Sequence, residues 1–343
     1  MTGLGVPGVF KLVMGKWFSR ITYTGVLLGV FEQLSTTEPQ SAEQVSHEIK
    51  VHTDTLYRLL RALSFIGLVE ENGDHKFLLN EDGTVLRKDH PMSLRGFFLF
   101  EESAEHFVCW KHLPDFVKEG PTRTAFEIEF GKPVFDYMDG NPKYATLFGN
   151  AMDSISYKEI EGIVKVLKEG KYLEKADVVC DIGGSSGYFL DLVLKTVARP
   201  DAKGIVSDTA TVIKDVESKG KDAALSKSLS FAEIDMFKKA VPADVYFVKH
   251  ILHDWPDNKC IEILRSAKEV ARPGAKFIAC EAVIPEPNVP GLSKVLDIQM
   301  MLMCCGRQRT EEEFKRLYEA SGWKVEVVEP CGDDFISLVI GAL

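Results

Sequence analysis

From Ala176 onward the chain repeats one unit: a short run of apolar and β-branched residues, a turn, then a helical stretch. The runs are DVVCDI, GIVSD, LSFAEID, DVYFVKH and KFIACEAV, separated by stretches such as YFLDLVLKTVA, TVIKDVES and NKCIEILRSAKEV. Strands in this rhythm pair in parallel, because each helix carries the chain back to the edge from which the next strand must start. The pattern predicts an α/β fold with a mostly parallel, doubly wound, Rossmann-like sheet and helices on both faces. Two last runs, WKVEVVEP and FISLVIGAL, are joined by a short CGDD turn. They predict an antiparallel hairpin at one edge.

The first part of the chain reads differently. Between about Ser19 and Phe100 apolar residues recur at helical spacing, in SAEQVSHEIK with Ser41 as cap and in TDTLYRLLRALSFIGLV ending at Gly67. LVEENGDHKFLLN then predicts a hairpin turning at Asn72 and Gly73. Helix, turn, helix and hairpin outline a winged helix over residues 1–100, whose obvious use is DNA reading. Its second helix, however, offers Asp54, Leu56, Leu59 and Leu60 beside only Arg58 and Arg61. That face favours an interaction or dimerisation module over groove contact. The net charge of −10 over 343 residues points the same way, since nucleic-acid surfaces need clustered basic residues. Residues 101–170 predict a helical connector, with Asn141 capping a long helix and Pro142 at its first position.

The seven cysteines are scattered, with no CxxC pair, and no long apolar leader or cleavage site opens the chain. Reduced thiols in a cytoplasmic protein, off the membrane, are the expectation. Cys304 and Cys305 are adjacent, and neighbours seldom meet disulfide geometry.

The first strand of the alternating region runs straight into GGSSGYFLDLV. Gly183, Gly184 and Gly187 allow a tight turn and the approach of a ligand where a Cβ would obstruct it. The spacing is not that of the dinucleotide fingerprint, and a glycine turn alone serves many folds. The second strand ends at Asp208, where a carboxylate can accept both hydroxyls of a ribose. The third ends at Asp235 and Met236, an acceptor beside a thioether, which suits an adenine amine and ring face. Each acid by itself reads equally as a helix cap. Three such groups at successive strand ends favour a nucleoside site.

VKHILHDWPDNKC ends the fourth strand with two histidines. Asp254 or Asp257 could cap the following helix, with Pro256 early in it. That accounts for the acids but leaves His253 beside the crevice. His250 falls on the opposite face if the strand continues. A zinc site from His250, His253 and Cys260 lacks a carboxylate or thiolate at sensible spacing, so no metal is expected.

In order, VVCDIGGSSG, VSD, IDMF, VKHILHDWPDNKC, EAVIP and RTEEEF resemble the S-adenosylmethionine-dependent small-molecule O-methyltransferases of the plant caffeate and flavonoid type, with acetylserotonin and bacterial relatives. The resemblance covers nearly the whole chain. It implies a methyltransferase domain over 101–343 and an N-terminal winged-helix domain that makes a homodimer. It further implies S-adenosyl-L-methionine as cofactor, held at Gly183, Asp208, Asp235, Met236 and Lys249. His253 would be the general base and Glu281 the carboxylate holding it. On the acceptor side the resemblance implies a small aromatic hydroxyl compound among Asp254, Gln299, Met300, Met303, Phe148 and Met152.

Two positions depart from the family pattern. Gln308 stands where relatives carry a second catalytic glutamate before RT, and Gln299 where animal and bacterial relatives carry asparagine. Both changes fall near the acceptor, so a protein with lost catalysis or another acceptor atom stays open. An NAD-dependent oxidoreductase and a winged-helix regulator are the rival classes. The broken glycine spacing and the Asp-Met pair count against the first, and the acidic balance against the second.

Overall fold

The computed structural model describes residues 8–218, 225–332 and 336–343. The chain divides into two compact units, Met1–Val108 with Asn141–Lys158, and Cys109–Gly140 with Glu159–Leu343. The stretch read as a connector, 101–170, is thus shared between them.

In the first unit a helix already begins at Gly8 and runs to Leu28. Ser41 caps the helix Ala42–Ile49 in a reciprocal box with Gln44, and Gly67, with φ 91°, ends the helix Thr53–Ile66. Strands β1 (Val69–Glu71) and β2 (Phe77–Leu79) then pair antiparallel. The Asn72 side-chain oxygen accepts from the Asp74 and Lys76 N–H groups and so builds the turn. Val26, Phe31, Leu60, Leu63 and Phe77 are fully buried and form this unit's core. The winged-helix outline is as read from the sequence.

The second unit is built on seven strands: β3 (Val178–Ile182), β4 (Lys203–Asp208), β5 (Leu229–Glu233), β6 (Val245–Lys249) and β7 (Lys276–Glu281), then, after a short parallel pair β8 (Val283–Ile284) and β9 (Arg309–Thr310), β10 (Lys324–Pro330) and β11 (Ser337–Ala342). Their order is β10-β11-β7-β6-β3-β4-β5. Only β11 runs antiparallel, to both β7 and β10. The expected edge hairpin is present, although Asp333 and Asp334 of its CGDD turn lie outside the described residues.

Strand alternation supplies both faces of the sheet. Val179, Phe247 and Ile278 pack on one side with Leu190 and Val193 of the helix Tyr188–Thr196. Cys180, Val248 and Phe277 pack on the other with Ile263 and Leu264 of the helix Asp257–Val270. Truncating a fully buried residue such as Ile278 to alanine would cost about 2–5 kcal/mol. No helix among the described residues is long and apolar enough to cross a membrane.

Candidate active site

Parallel pairing sets the carboxyl ends of β3 to β7 on one edge. β3 turns at Gly183, with φ 72°, whose N–H donates to the Ser207 carbonyl at 2.8 Å. A Cβ on Gly183 would press on Ile251, and one on Gly184 would meet the Asp181 carboxylate. Gly187, with φ 78°, opens the helix Tyr188–Thr196, and no side chain caps that helix's first N–H groups. At the end of β4, Asp208 accepts from the Ser185 N–H at 3.0 Å and the Thr209 N–H at 2.7 Å. Burial raises its carboxyl above the usual range.

β5 stops at Glu233, so Asp235 and Met236 sit two and three residues past the strand. The Ile234 N–H donates to the Asp208 carbonyl, which keeps this segment beside Asp208. Asp235 is exposed and held below its ordinary value by Lys238. Lys249 ends β6, 3.6 Å from Glu159. Beside them Asp181 is wholly buried, and that burial pushes its carboxyl up to about 7 against the pull of Lys249.

β6 does not continue into His250. That residue takes φ 54°, a left-handed conformation that breaks the alternation. Contrary to the expectation for a strand that continues, His250 is not on the opposite face from His253. Its ring stacks on His253 with centroids 5.2 Å apart and planes at 27°. His250 Nε2 meets both Glu159 oxygens, at 2.8 and 3.0 Å. Burial alone would raise the Glu159 carboxyl, but His250 and Lys249 together hold it below its ordinary value.

His253 lies in a short 3-10 turn, Leu252–Asp254. One oxygen of the fully buried Glu281 accepts the Ile251 and Leu252 N–H groups at 3.1 and 2.7 Å, so the end of β7 pins this turn. The other oxygen stands 3.5 Å from His253 Nδ1. The Gln308 side-chain nitrogen is closer to Nδ1, at 2.9 Å. On the other ring nitrogen, Nε2, the neighbour is an Asp254 oxygen at 3.5 Å. Burial, helped by His250, Lys249 and Arg309, lowers the imidazole well below its ordinary value. Asp254 moves the other way, up to about 8, through burial and the nearby Glu281.

Neither aspartate caps the next helix: Pro256 takes the cap position without a side-chain bond. Asp257 accepts from Arg309, and Asp254 accepts from the Cys304 thiol at 3.6 Å. Arg309, only 2% exposed, was not singled out in the sequence, yet it donates to the Leu252 and Trp255 carbonyls at 2.7 and 2.8 Å. Pairing of β8 with β9 carries it there. The Arg307 N–H donates to the His253 carbonyl, and a Cβ on Gly306 would overlap that oxygen.

The helix Ser293–Cys304 carries Gln299, Met300 and Met303, with Met303 buried. It lies against the helix Ala125–Phe130, whose Phe126 and Phe130 rings pack at 4.6 Å. Phe135 stacks on Trp255 at 5.8 Å. Phe148 and Met152 belong to the first unit, where Phe148 packs edge-on to Phe100.

Cys260, weighed above as a metal ligand, is instead a buried thiol pushed up to about 12, donating to the Leu252 carbonyl. Contrary to the expectation from spacing along the chain, a carboxylate is at hand in the fold. β7 supplies Glu281, and one donor atom each from His250, His253 and Glu281 lie within 4.8 Å of one another.

A glycine turn and acidic strand ends on one edge of such a sheet form the scaffold of a nucleotide- or nucleoside-using enzyme. Residues 110–324 match the O-methyltransferase domain, and residues 10–84 match the O-methyltransferase dimerisation domain. The chain belongs to the S-adenosylmethionine-dependent O-methyltransferases. It is 28% identical to the phenazine O-methyltransferase PhzM of Lysobacter antibioticus, over 94% of this chain and 92% of that one. The crystal structure of LaPhzM superposes with a TM-score of 0.88 at 27% identity, covering 98% of this chain and 99% of the other. CalO1, a methyltransferase of calicheamicin biosynthesis in an SAH-bound form, gives 0.81 at 26% identity over 97% and 96%.

Proposed function

We propose that the protein transfers the methyl group of S-adenosylmethionine to a hydroxyl on a small aromatic acceptor, with His253 removing the hydroxyl proton. The observation that carries this reading is the imidazole of His253, half-buried, with Nδ1 between Gln308 and Glu281, one strand over from the glycine turn.

The residues along β3 to β6 suit the cofactor. Asp208 is a half-buried carboxylate beside a turn that a side chain would fill, as a ribose site requires. The uncapped helix N-terminus after Gly187 suits the carboxylate of the amino-acid part. Asp235 and Met236 would take the adenine, and Lys249 would line the pocket. When bound, the sulfonium supplies an already activated methyl, so the protein's task is chiefly alignment and proton removal.

A phenol has a pKa near 10, so only about a thousandth is ionised at neutral pH. A neutral imidazole within reach of the hydroxyl takes the proton as the oxygen attacks. That requires a hydrogen on Nδ1 and a lone pair on Nε2. Amide oxygen and nitrogen are assigned from their partners. Turned about its last bond, Gln308 would present an oxygen that now lacks any hydrogen-bond partner to Nδ1–H. The free Glu281 oxygen, 3.5 Å away, would steady the imidazolium.

For the acceptor, relatives named for phenazine, mitomycin and flavonoid substrates support a planar ring system. Met300 and Met303, on a helix that lies against the helix Ala125–Phe130, suit such a ring. Asp254 and Gln299 offer polar contacts. The exposed Val9, Phe10, Val13 and Trp17 on the first helix support a homodimer through the N-terminal unit.

The test pairs His253→Ala with two measurements. Turnover on phenols and hydroxyindoles should fall by about 10²–10⁴-fold. Calorimetric binding of S-adenosylhomocysteine should stay near wild type. Binding of NAD in its place, or full turnover in the variant, would refute the reading.

A further inference from the structure

We propose that His250, His253 and Glu281 form a binding site for a divalent transition-metal ion of the zinc class. Two polar atoms of this cluster are buried without a hydrogen bond: His250 Nδ1 and Glu281 Oε2. Glu281 is 0% exposed. Buried polar atoms are rarely left unpaired, and two orphans in one cluster point to a missing partner. A cation would satisfy the lone pairs of both at once.

The outer surroundings fit as well. A metal-bound histidine usually gives its second ring nitrogen to a carboxylate, which fixes the tautomer. His250 does this, with Nε2 on both Glu159 oxygens, leaving the Nδ1 lone pair available. Glu159 also faces Lys249 at 3.6 Å and so offsets a positive charge that would oppose an ion. Two imidazoles and one carboxylate suit zinc-class ions, whereas calcium takes six or more oxygens. One donor atom from each of His250, His253 and Glu281 lies within 4.8 Å of the other two, and they would draw closer around one ion.

Binding would have a consequence for the reaction. Ligation and protonation compete for the same imidazole, so an ion on His253 would remove it from proton transfer and inhibit reversibly. This consequence, unlike the binding, rests on His253 acting as base. The competing metal ligands nearby are thiols, Cys304 beside Asp254 and the exposed Cys305.

Equilibrium dialysis of the full chain against Zn²⁺ alone tests the site, with circular dichroism melts as the fold control. We expect one tight ion per chain in the wild type and in Cys304→Ser/Cys305→Ser. Affinity should fall by about 10–100-fold in Glu159→Gln, which removes only the outer carboxylate, and binding should be lost in His250→Leu. Co²⁺ should give visible ligand-field bands without thiolate charge transfer. No binding by wild type, loss in the double cysteine variant, or unchanged affinity in Glu159→Gln would overturn the proposal. Should His250→Leu fail to fold, the Glu159→Gln arm decides. Zn²⁺ that binds as described without inhibiting methyl transfer would leave the site standing and remove His253 as base.

Discussion

The side-chain nitrogen of Gln308 lies 2.9 Å from His253 Nδ1, while the nearest Glu281 oxygen stands 3.5 Å away. The imidazole is therefore oriented first by a neutral amide, with the buried carboxylate as its second neighbour. The Glu281 oxygen not facing His253 is spent on two backbone N–H groups, so this carboxylate shapes the turn as much as the ring.

Replacing the amide by a carboxylate should show what it contributes. In Gln308→Glu a second negative group beside Nδ1 favours the imidazolium and raises the His253 pKa. We expect turnover of a phenolic acceptor at pH 8 to be maintained or increased, with the acid limb of the kcat profile displaced to higher pH. A collapse of turnover would mean that Gln308 reads the substrate instead.

How much of this was legible beforehand follows from where each signal lies. The sheet could be read because strands buried on both faces carry near-continuous apolar runs such as VVCDI. The winged helix was legible through its caps and turn residues. Asp208 stands at the strand end the spacing gave it, and Glu281, His253 and Gln308 converge. The orientation of His250 was not legible, because it depends on one left-handed φ that no flanking glycine announces. Its partner Glu159 is 91 residues away, on an element with no local mark of a site. Arg309 was passed over inside RTEEEF, since its partners are backbone carbonyls, which leave no trace in side-chain patterns. The aspartates of HDWPD look like helix caps by spacing, yet buried contacts claim both.

Asp254 gives a pH signature in stability. Its folded pKa of about 8 lies above the ordinary 3.8. The native state thus holds a proton that the unfolded chain has lost, a stabilisation present below the unfolded value and removed as pH rises through 8. His253 works in the other sense: its folded value is depressed, so stability is lost as pH falls below the ordinary 6.5. Asp254→Asn removes the first dependence only. We expect the melting temperature of the variant to gain on wild type as pH is raised from 6 to 9. A difference that stays flat over that window would show that Asp254 titrates normally.

The same depression of His253 sets the acid limb of the reaction. Because burial holds the imidazole neutral, the base stays competent at pH values where an exposed histidine would be half protonated. We expect kcat in saturating cofactor to fall only below pH 6.5. In Lys249→Met one of the positive neighbours that lower the pKa is gone, and the limb should move up. An acid limb centred at or above 6.5 in wild type would contradict the buried, charge-flanked setting.

Arg309 offers the sharpest separation of architecture from chemistry. It is nearly fully buried and its planar fork spans two carbonyls of the His253 turn and the Asp257 carboxylate. Lysine keeps the charge but not the fork, so Arg309→Lys can satisfy only part of this set. Losing charged hydrogen bonds to buried carbonyls should cost about 2 kcal/mol. In a chain of this size that lowers the melting temperature by about 3 °C. Since the arginine holds the turn through its backbone, His253 should lose its alignment while the β3–β4 end of the site is untouched. The expected result is a fall in kcat with the affinity for S-adenosylhomocysteine preserved. Equal losses in both would mean that the clamp supports the whole carboxyl edge of the sheet, and an unchanged kcat would mean that Glu281 alone holds the turn.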